Sequence, residues 1–417
     1  MEYGCIGAHL PHSFSKEIHA CIGNYPYELK ELTAEELPGF MRAHDFCGIN
    51  VTIPYKEAVI PFLDGIDPPA AEIGAVNTVV NRGGRLFGYN TDVIGMERLL
   101  AKNGVCLKQR KVLVLGTGGT SKTAMAVAKR AGASAVYRVS RSGKEGALTY
   151  EEAYALHGDA GILINTTPCG MYPEPHACPV DISRFAGLEG VLDAVYNPLR
   201  TRLVLAARKR EIPSAGGLYM LVAQAVAAYG IFFDTATPAG LTERIYSALF
   251  AEKQNIVLIG MPGSGKTTVG RRIAADTGRE FVDTDALIEA KANMPISGIF
   301  EAYGEAYFRD LETAVILEAA KRSGAVIATG GGAVLRSENV EALRMNGRLY
   351  YLDVPPSQLV PTGDRPLANS AGAIVSRYAE RYPIYLASAD ETVRRHVTVQ
   401  ETASEIEERH KNETSCD

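Results

Sequence analysis

One nine-residue stretch, Gly260-Met-Pro-Gly-Ser-Gly-Lys-Thr-Thr268, limits what this chain can be. The apolar run Asn255–Ile259 leads into it and the helix-compatible Val269–Ala275 leads out. A G-x-x-x-x-G-K-[ST] loop between a strand and a helix cradles phosphates with its backbone amides. The C-terminal part is therefore expected to handle a nucleoside triphosphate. The motif usually follows the first strand of its fold, so a domain is expected to begin near residue 254. The long stretch before it needs an explanation of its own.

At 417 residues the chain has a prior of about three domains. Net charge is −5, which supplies no general basic field and argues against nucleic acid as a partner. No apolar run approaches the ~20 residues of a membrane span, so no membrane association is expected. The opening Met1-Glu-Tyr-Gly-Cys-Ile-Gly7 lacks the basic-then-apolar layout of a signal peptide. Seven cysteines are scattered with no Cys-x-x-Cys pair, which fits reduced thiols in the cytoplasm and no zinc site.

Short β-rich runs alternate with longer helical patterns, the signature of α/β layers. Strands are expected at 3–6, 27–31, 48–53 and 76–81, then at 111–115, 135–140, 162–165 and 190–194, and finally at 255–259, 280–282, 325–329 and 348–353. The small apolar residues Leu218–Tyr229 repeat with a helical period and are expected to pack back on the first block. The stretch Ser247–Gln254 is the expected join. Three domains follow: 1–91, completed by helices from about 218–250; 92–217; and 254–417.

A second glycine loop, Gly116-Thr-Gly-Gly-Thr-Ser121, sits between the buried run Lys111–Leu115 and a helical stretch. Its glycines permit close approach of backbone to a pyrophosphate at a helix N-terminus, although such a turn is often only a turn. About 20 residues on, where an NAD site carries an acid, the chain reads Ser140-Arg141-Ser142. An Arg flanked by hydroxyls suits a 2′-phosphate and favours NADP. The first block gathers polar residues beside apolar runs: Ser13 and Ser15 in His12-Ser-Phe-Ser15; Asn50, Thr52 and Lys56 in Asn50-Val-Thr-Ile-Pro-Tyr-Lys56; Asn77 in Ile73-Gly-Ala-Val-Asn77; and Asp92 in Gly88-Tyr-Asn-Thr-Asp92. Each alone reads as a turn polar or a cap, and Asp92 is an acceptable N-cap. Together they place a Lys, an Asp and several hydroxyl or amide groups at strand ends, where open α/β sheets bind ligands.

These motifs, with Tyr196-Asn-Pro-Leu-Arg-Thr201 and Gly216-Gly-Leu-Tyr-Met-Leu-Val-Ala-Gln224, resemble shikimate dehydrogenase over about 1–250. The resemblance implies an α/β substrate domain beside a Rossmann-like NADP domain. It also implies that Lys56 and Asp92 are the catalytic pair, and that Ser13, Ser15, Asn50, Thr52, Asn77, Tyr196 and Gln224 hold the substrate's ring hydroxyls and carboxylate. Gly116, Gly118, Gly119, Thr120, Ser140, Arg141, Ser142, Thr166, Met171 and Gly217 are the implied NADP set, with Asn165-Thr-Thr-Pro-Cys-Gly-Met171 lining the nicotinamide. Ketone reduction needs a hydride and a proton, and Lys56 is placed either to donate the proton or to stabilise the developing alkoxide. The chain departs from the family at Lys16 and at Thr120-Ser121.

In the C-terminal part, Phe281-Val-Asp-Thr-Asp285 puts two carboxylates at a strand end, Gly304–Glu312 presents Arg309, and Ala328-Thr-Gly-Gly-Gly332 follows a buried strand. An Arg can fork onto a carboxylate, whereas a surface pair of Arg309 with Glu305 or Glu312 is the plainer reading. This set resembles shikimate kinase across about 254–400, and the resemblance implies a parallel-sheet P-loop kinase. It assigns Gly260, Gly263, Ser264, Gly265, Lys266, Thr267, Thr268 and Arg365 to ATP, and Asp285, Arg309, Gly331, Gly332 and Arg381 to shikimate. Thr267 and Asp283, the latter through water, belong to Mg²⁺. Lys266, Asp285 and Arg365 are the implied catalytic groups. The family's lid carries further basic residues before Arg365, but 353–364 has none, and Gln358 sits where an adenine-contacting Arg is expected.

The combined expectation is a fused two-step enzyme of the route to chorismate and aromatic amino acids. It would reduce 3-dehydroshikimate to shikimate with NADPH, then phosphorylate shikimate with Mg·ATP. Its partners would be these small molecules, with a homo-oligomer left open. A quinate/shikimate dehydrogenase joined to a weak or regulatory kinase-like domain is the alternative.

Overall fold

The computed structural model describes residues 1–10, 13–359 and 371–412. His12 and Arg365 lie outside the described residues. The chain divides into two compact units, Met1–Leu249 and Phe250–Asp417. The division falls inside the helix Leu241–Lys253, so the expected join at 247–254 is largely helical rather than an irregular linker.

The first unit holds two sheets. One contains β1 (Tyr3–Gly7), β2 (Glu28–Glu31), β3 (Gly48–Val51), β4 (Gly65–Ile66), β5 (Thr78–Arg82) and β6 (Arg85–Tyr89), in the order β2-β1-β3-β5-β6-β4. Strands β1, β2 and β3 are parallel, and β5 runs antiparallel to both β3 and β6. The sequence reading missed β4 and β6. The first is two residues long, and the second carries Arg85 and Gly88 instead of a β-branched run.

Alternation along these strands sends side chains to opposite faces. Ile6, Ile49, Val51 and Val79 meet Leu37, Met41 and Phe46 on one face. On the other, Cys5 and Val80 meet Ala228 and Phe232. Phe232 belongs to the helix Leu218–Phe233, which thus returns to the first block as its period predicts. Arg82 fastens that return by donating to the carbonyls of Ile231 (2.6 Å) and Phe232 (3.2 Å).

The second sheet contains β7 (Lys111–Leu115), β8 (Ala135–Val139), β9 (Ile162–Asn165), β10 (Gly190–Asp193) and β11 (Ser214–Ala215), all parallel in the order β11-β10-β9-β7-β8. Leu113, Leu115, Leu163 and Val191 pack on Phe185 and Leu203.

The second unit is built on an all-parallel sheet of β12 (Asn255–Ile259), β13 (Phe281–Asp283), β14 (Val326–Ala328), β15 (Gly347–Asp353) and β16 (Glu391–Arg394), in the order β13-β14-β12-β15-β16. Both faces are covered, which explains the unbroken apolar run of β12. Val257 and Ile259 face Ile316 and Leu343, whereas Ile256 and Leu258 face Val269, Ile273 and Ile406. The sequence reading missed β16, an edge strand with one buried residue in four.

Backbone proximity dictates glycine at the joint between the first unit's lobes. A Cβ on Gly217 would lie 2.2 Å from the carbonyl oxygen of Ala194, and one on Gly216 would lie 2.6 Å from that of Leu199. Gly217→Ala must push backbone against backbone at a cost of about 1–3 kcal/mol. We expect the thermal transition of the first unit to fall by several degrees while that of the second stays in place. Calorimetry checks this, and an unshifted first transition would contradict it.

Candidate active sites

In the first unit the functional residues gather because of strand direction. Thr52 and Lys56 follow the C-terminal end of β3, Asn77 immediately precedes antiparallel β5, and Asp92 follows β6. All four therefore lie at one edge of the sheet. Lys56 Nζ donates to Asp92 Oδ2 at 2.6 Å, with both side chains largely shielded. Asp92 is the first residue of the helix Asp92–Lys102 and serves as a counter-ion to Lys56. The preceding residue, Thr91, is at the N-cap position and makes no side-chain capping bond.

A buried amide–hydroxyl network backs the pair. Asn77 Oδ1 accepts from the Thr91 amide at 2.7 Å, and Asn77 Nδ2 donates to Thr91 Oγ1 at 3.1 Å. Thr91 Oγ1 also donates to Gln224 Oε1 at 3.3 Å, which brings the returning helix into the site. Asn50 is more deeply committed: it accepts from Tyr27 at 2.7 Å and donates to Thr78 Oγ1 (3.1 Å) and the Asn77 carbonyl (3.4 Å). Both its amide hydrogens are thereby used inside the protein, so its geometry is that of a brace behind Asn77. Ser13 Oγ donates to Ser15 Oγ at 3.1 Å. The ring of Tyr196 lies 5.3 Å from that of Phe14, and burial pushes the Tyr196 hydroxyl up to about 12, keeping it a hydrogen-bond donor.

The edge of the second sheet faces this group. Gly116, with φ +115°, turns the chain after β7, and Ser121 Oγ closes the loop onto the Gly116 carbonyl at 2.6 Å. No side chain caps the helix Gly119–Arg130, so its first amides are not taken up by a capping side chain. That is the arrangement a pyrophosphate requires, and the loop fits the dinucleotide. Gly118 has open space where a Cβ would be, and Thr120 lies in the first turn. A Cβ on Gly119 would lie 3.3 Å from Lys56 Cδ, so the nucleotide loop abuts the ion pair. Lys122 and Glu57 bridge the same gap at 2.7 Å. Ser140, Arg141 and Ser142 follow β8; Arg141 and Ser142 are exposed, and Ser140 Oγ accepts from the Gly143 amide at 3.1 Å. Thr166 Oγ1 is fastened to the Leu115 carbonyl at 2.6 Å, whereas the Met171 side chain is exposed.

Sequence reasoning missed Asp193. This fully buried carboxylate accepts from Asn165 Nδ2 (2.9 Å), the Val195 amide (3.0 Å) and Thr201 Oγ1 (2.7 Å). It ties the loop carrying Thr166 and Met171 to the loop carrying Tyr196. Its motif neighbours were visible, but a contact between two strand ends leaves no local spacing signal.

In the second unit Gly263 (φ +79°) and Gly265 (φ +97°) adopt the left-handed backbone that the phosphate loop needs. Ser264 is buried in the loop, and its amide donates to the Met261 carbonyl at 3.1 Å. Lys266 Nζ donates to the carbonyls of Gly260 (2.8 Å) and Met261 (2.9 Å), at the mouth of the loop. Thr267 Oγ1 donates to Asp283 Oδ2 at 2.8 Å, and exposed Thr268 follows it in the helix. The other oxygen, Asp283 Oδ1, caps the helix Thr284–Ala292 through the amides of Asp285 and Ala286. Among the described residues no cluster of three His, Cys, Asp or Glu could hold a metal. One hydroxyl beside one carboxylate fits Mg²⁺, which keeps waters and takes phosphate oxygens.

The residues expected at the acceptor form a second group. A Cβ on Gly331 would lie 2.6 Å from Pro262 Cδ, so the loop after β14 lies against the phosphate loop. Gly331 O accepts from Arg381 Nη1 (3.0 Å) and the Tyr385 hydroxyl (2.5 Å). A Cβ on Gly332 would collide with the Arg309 guanidinium, and one on Gly330 would meet Asp285 Oδ1 at 2.5 Å and Glu312 Oε1 at 3.0 Å. The plainer reading of Arg309 as a surface pair fails here. Its Nη1 donates to Glu312 Oε2 at 2.7 Å, and the Glu312 side chain is 1 % exposed. Burial raises the Glu312 pKa even against the pull of Arg309. Gln358 is exposed at the end of the short turn Pro356–Gln358. A basic residue reaches the phosphate loop from elsewhere: Arg395, after β16, places its Cδ 3.9 Å from where a Gly265 Cβ would stand.

Known proteins decide what these two sites belong to. Residues 5–79 match the family model "Shikimate dehydrogenase substrate binding domain", and residues 262–411 match "Shikimate kinase". The shikimate dehydrogenase (NADP(+)) of Clostridium beijerinckii is 36 % identical over 262 residues, covering 59 % of this chain and 96 % of that protein. The chain belongs to the shikimate dehydrogenase family. It also carries a shikimate kinase domain. The crystal structure of shikimate dehydrogenase 1 from Peptoclostridium difficile aligns with a TM-score of 0.56 at 33 % identity, over 60 % of this chain and 98 % of that one. The shikimate 5-dehydrogenase of Thermus thermophilus, solved with NADP(H) and shikimate, aligns at 0.53 and 32 % identity over 60 % of this chain and all of that one.

The Asp193 network carries a pH signature. Burial pushes the carboxyl up to about 7, and the three hydrogen bonds pull it back only in part. Its folded pKa therefore exceeds the unfolded value of 3.8. The stabilisation is fully present below about pH 4 and is lost as the pH rises through about 7. The loss is on the order of a few kcal/mol. Denaturant titrations of the first unit at pH 5 and pH 8 should show wild type losing more stability than Asp193→Asn. Equal losses in the two proteins would contradict this.

Proposed function

We propose that the first unit reduces 3-dehydroshikimate to shikimate and that the second transfers phosphate to the 3-hydroxyl of shikimate. The observation that carries this reading is the 2.6 Å Lys56–Asp92 pair set against the dinucleotide loop at Gly119. When bound, NADPH supplies the hydride and Mg·ATP the phosphoryl group. Lys56 stands as proton donor and charge partner for the oxygen that becomes a hydroxyl, and Asp92 orients its ammonium. Ser13, Ser15, Thr52, Asn77, Tyr196 and Gln224 orient the ring, with Asn50 bracing Asn77 from behind. Arg141 and its flanking serines take the 2′-phosphate, and Gly116 to Thr120, Thr166, Met171 and Gly217 shape the rest of the cofactor cleft.

In the kinase unit Lys266 and the loop amides hold the β- and γ-phosphates, and Thr267 with Asp283 holds the metal and its waters. Asp285 orients the acceptor hydroxyl or takes its proton. Arg309, Arg381 and the backbone at Gly331 and Gly332 hold the acceptor. Arg365 is the proposed lid residue. Among the described residues no helix is long and apolar enough to cross a membrane, and Cys5, Cys21, Cys47, Cys106, Cys169 and Cys178 form no disulfide. We place the enzyme in the cytoplasm, because seven scattered cysteines with no Cys-x-x-Cys pair suit a reducing compartment.

One coupled assay tests the reading: dehydroshikimate, NADPH and Mg·ATP, with shikimate and its phosphate followed together. Lys56→Ala should cut dehydrogenation by at least about a hundredfold and leave phosphorylation of added shikimate near normal. Lys266→Ala should do the reverse. Loss of both activities in a folded single variant would refute two self-contained sites.

A further inference from the structure

The kinase unit has a basic side chain at its acceptor site that none of the motifs above includes. The helix Ala371–Ser388 presents Arg377, Arg381 and Tyr385 at a spacing of four, which puts them in one row. Tyr385 and Arg381 both donate to Gly331 O, so the row runs along the loop that follows β14. Arg377 continues it by one turn towards the helix N-terminus.

Two N–H groups on this row are buried without a hydrogen-bond acceptor, Arg377 Nη1 and Arg381 Nε. A buried donor on a charged group is costly to leave unmatched, and such an orphan marks a place where something is to be received. Arg309, the neighbouring guanidinium, is partly engaged: Nε and Nη2 donate to Glu305 (3.3 and 3.0 Å) and Nη1 to Glu312 (2.7 Å), which leaves one N–H on each Nη for the acceptor. Two carboxylates thus face that one guanidinium, and further positive charge at the acceptor must come from other residues. Arg377 adds a positive charge to a group in which Arg309 and Arg381 stand among Glu305, Glu312 and Asp285, and so favours an anionic acceptor.

Burial first, and then the positive charges of Arg381 and Arg309, hold the Arg377 pKa below its ordinary value, while Glu380 and Glu305 oppose them. Arg377 thus shares the electrostatic environment of the acceptor residues. A site with two orphan N–H donors on adjacent turns matches the two oxygens of a carboxylate.

We propose that Arg377 is a specificity-determining residue of the kinase site, where it and Arg381 jointly receive the acceptor's carboxylate. This rests on the acceptor being shikimate. The contact is remote from the hydroxyl that reacts, so it contributes to binding in the ground and transition states alike.

The test is steady-state phosphorylation by the full-length protein, with shikimate and its neutral carboxamide as acceptors. Arg377→Leu should raise KM for shikimate by about tenfold to a hundredfold. It should change kcat by no more than a few fold and leave KM for ATP and the dehydrogenase reaction unaltered. Arg377→Lys should recover part of the loss, since a charge remains but its fork does not. For the carboxamide, Arg377→Leu should change KM little. An unchanged shikimate KM in Arg377→Leu, or equal losses on acid and amide, would overturn the proposal while leaving the kinase reading intact. A wild-type protein that phosphorylates neither acceptor would instead overturn that reading, and this proposal with it.

Discussion

Parallel strand direction is the constraint on which both units depend. In a parallel ladder every C-terminal end lies at the same edge, so residues far apart in sequence emerge side by side. The first unit brings Gly116, Arg141, Thr166 and Tyr196 to one edge by ending β7, β8, β9 and β10 there. The second unit does the same with the phosphate loop after β12, Asp285 after β13 and Gly331 after β14. The substrate sheet needs an extra device because β5 is antiparallel to β3. It reaches the same edge by placing Asn77 before β5 and Asp92 after β6.

The two sites solve the problem of shielded charge differently. In the first, one ammonium meets one carboxylate at 2.6 Å, and neutral amides and hydroxyls supply everything else. Such a pair can orient a polar ring without a strong net field. In the second, charge is crowded: Arg309 is flanked by Glu305 and Glu312, and Glu312 lies against Gly330 together with Asp285. A buried pair that loses one member leaves an uncompensated charge, at a cost of about 3–5 kcal/mol. The arginines and acids there act as a group, and their mutational effects are not expected to add.

Much of this was legible in the sequence because it is local. Glycine loops announce themselves by composition and flanks, and the strands β7, β9, β12 and β15 by their apolar runs. Lys56 and Asp92 stood out by residue type, whereas the distance between them is a product of topology. What stayed hidden was long-range or weakly patterned. Strands β6 and β16 carry too few buried residues to be read. Asp193 lies inside an apolar strand run, and only the convergence of Asn165 and Thr201 on it marks it out. Motif membership also does not reveal that Tyr27 and Thr78 engage the Asn50 amide. Glu312 passed for a surface partner of Arg309 because an i, i+3 spacing says nothing about which face of the helix is covered.

Each unit has its own core and its own set of site residues. The core groups around Ile49, Leu113 and Val257 each draw on residues of one unit alone. The dehydrogenase residues run from Ser13 to Gln224 and the kinase residues from Gly260 to Arg381, so no proposed site borrows a side chain across the division. The helix Leu241–Lys253 is the covalent link, and it carries no residue of either site. The chemical link between the two activities is then the molecule that one makes and the other consumes. Its carboxylate is untouched by either reaction, and the proposed sites offer it different chemistry: neutral donors such as Tyr196 in the first, guanidinium groups in the second.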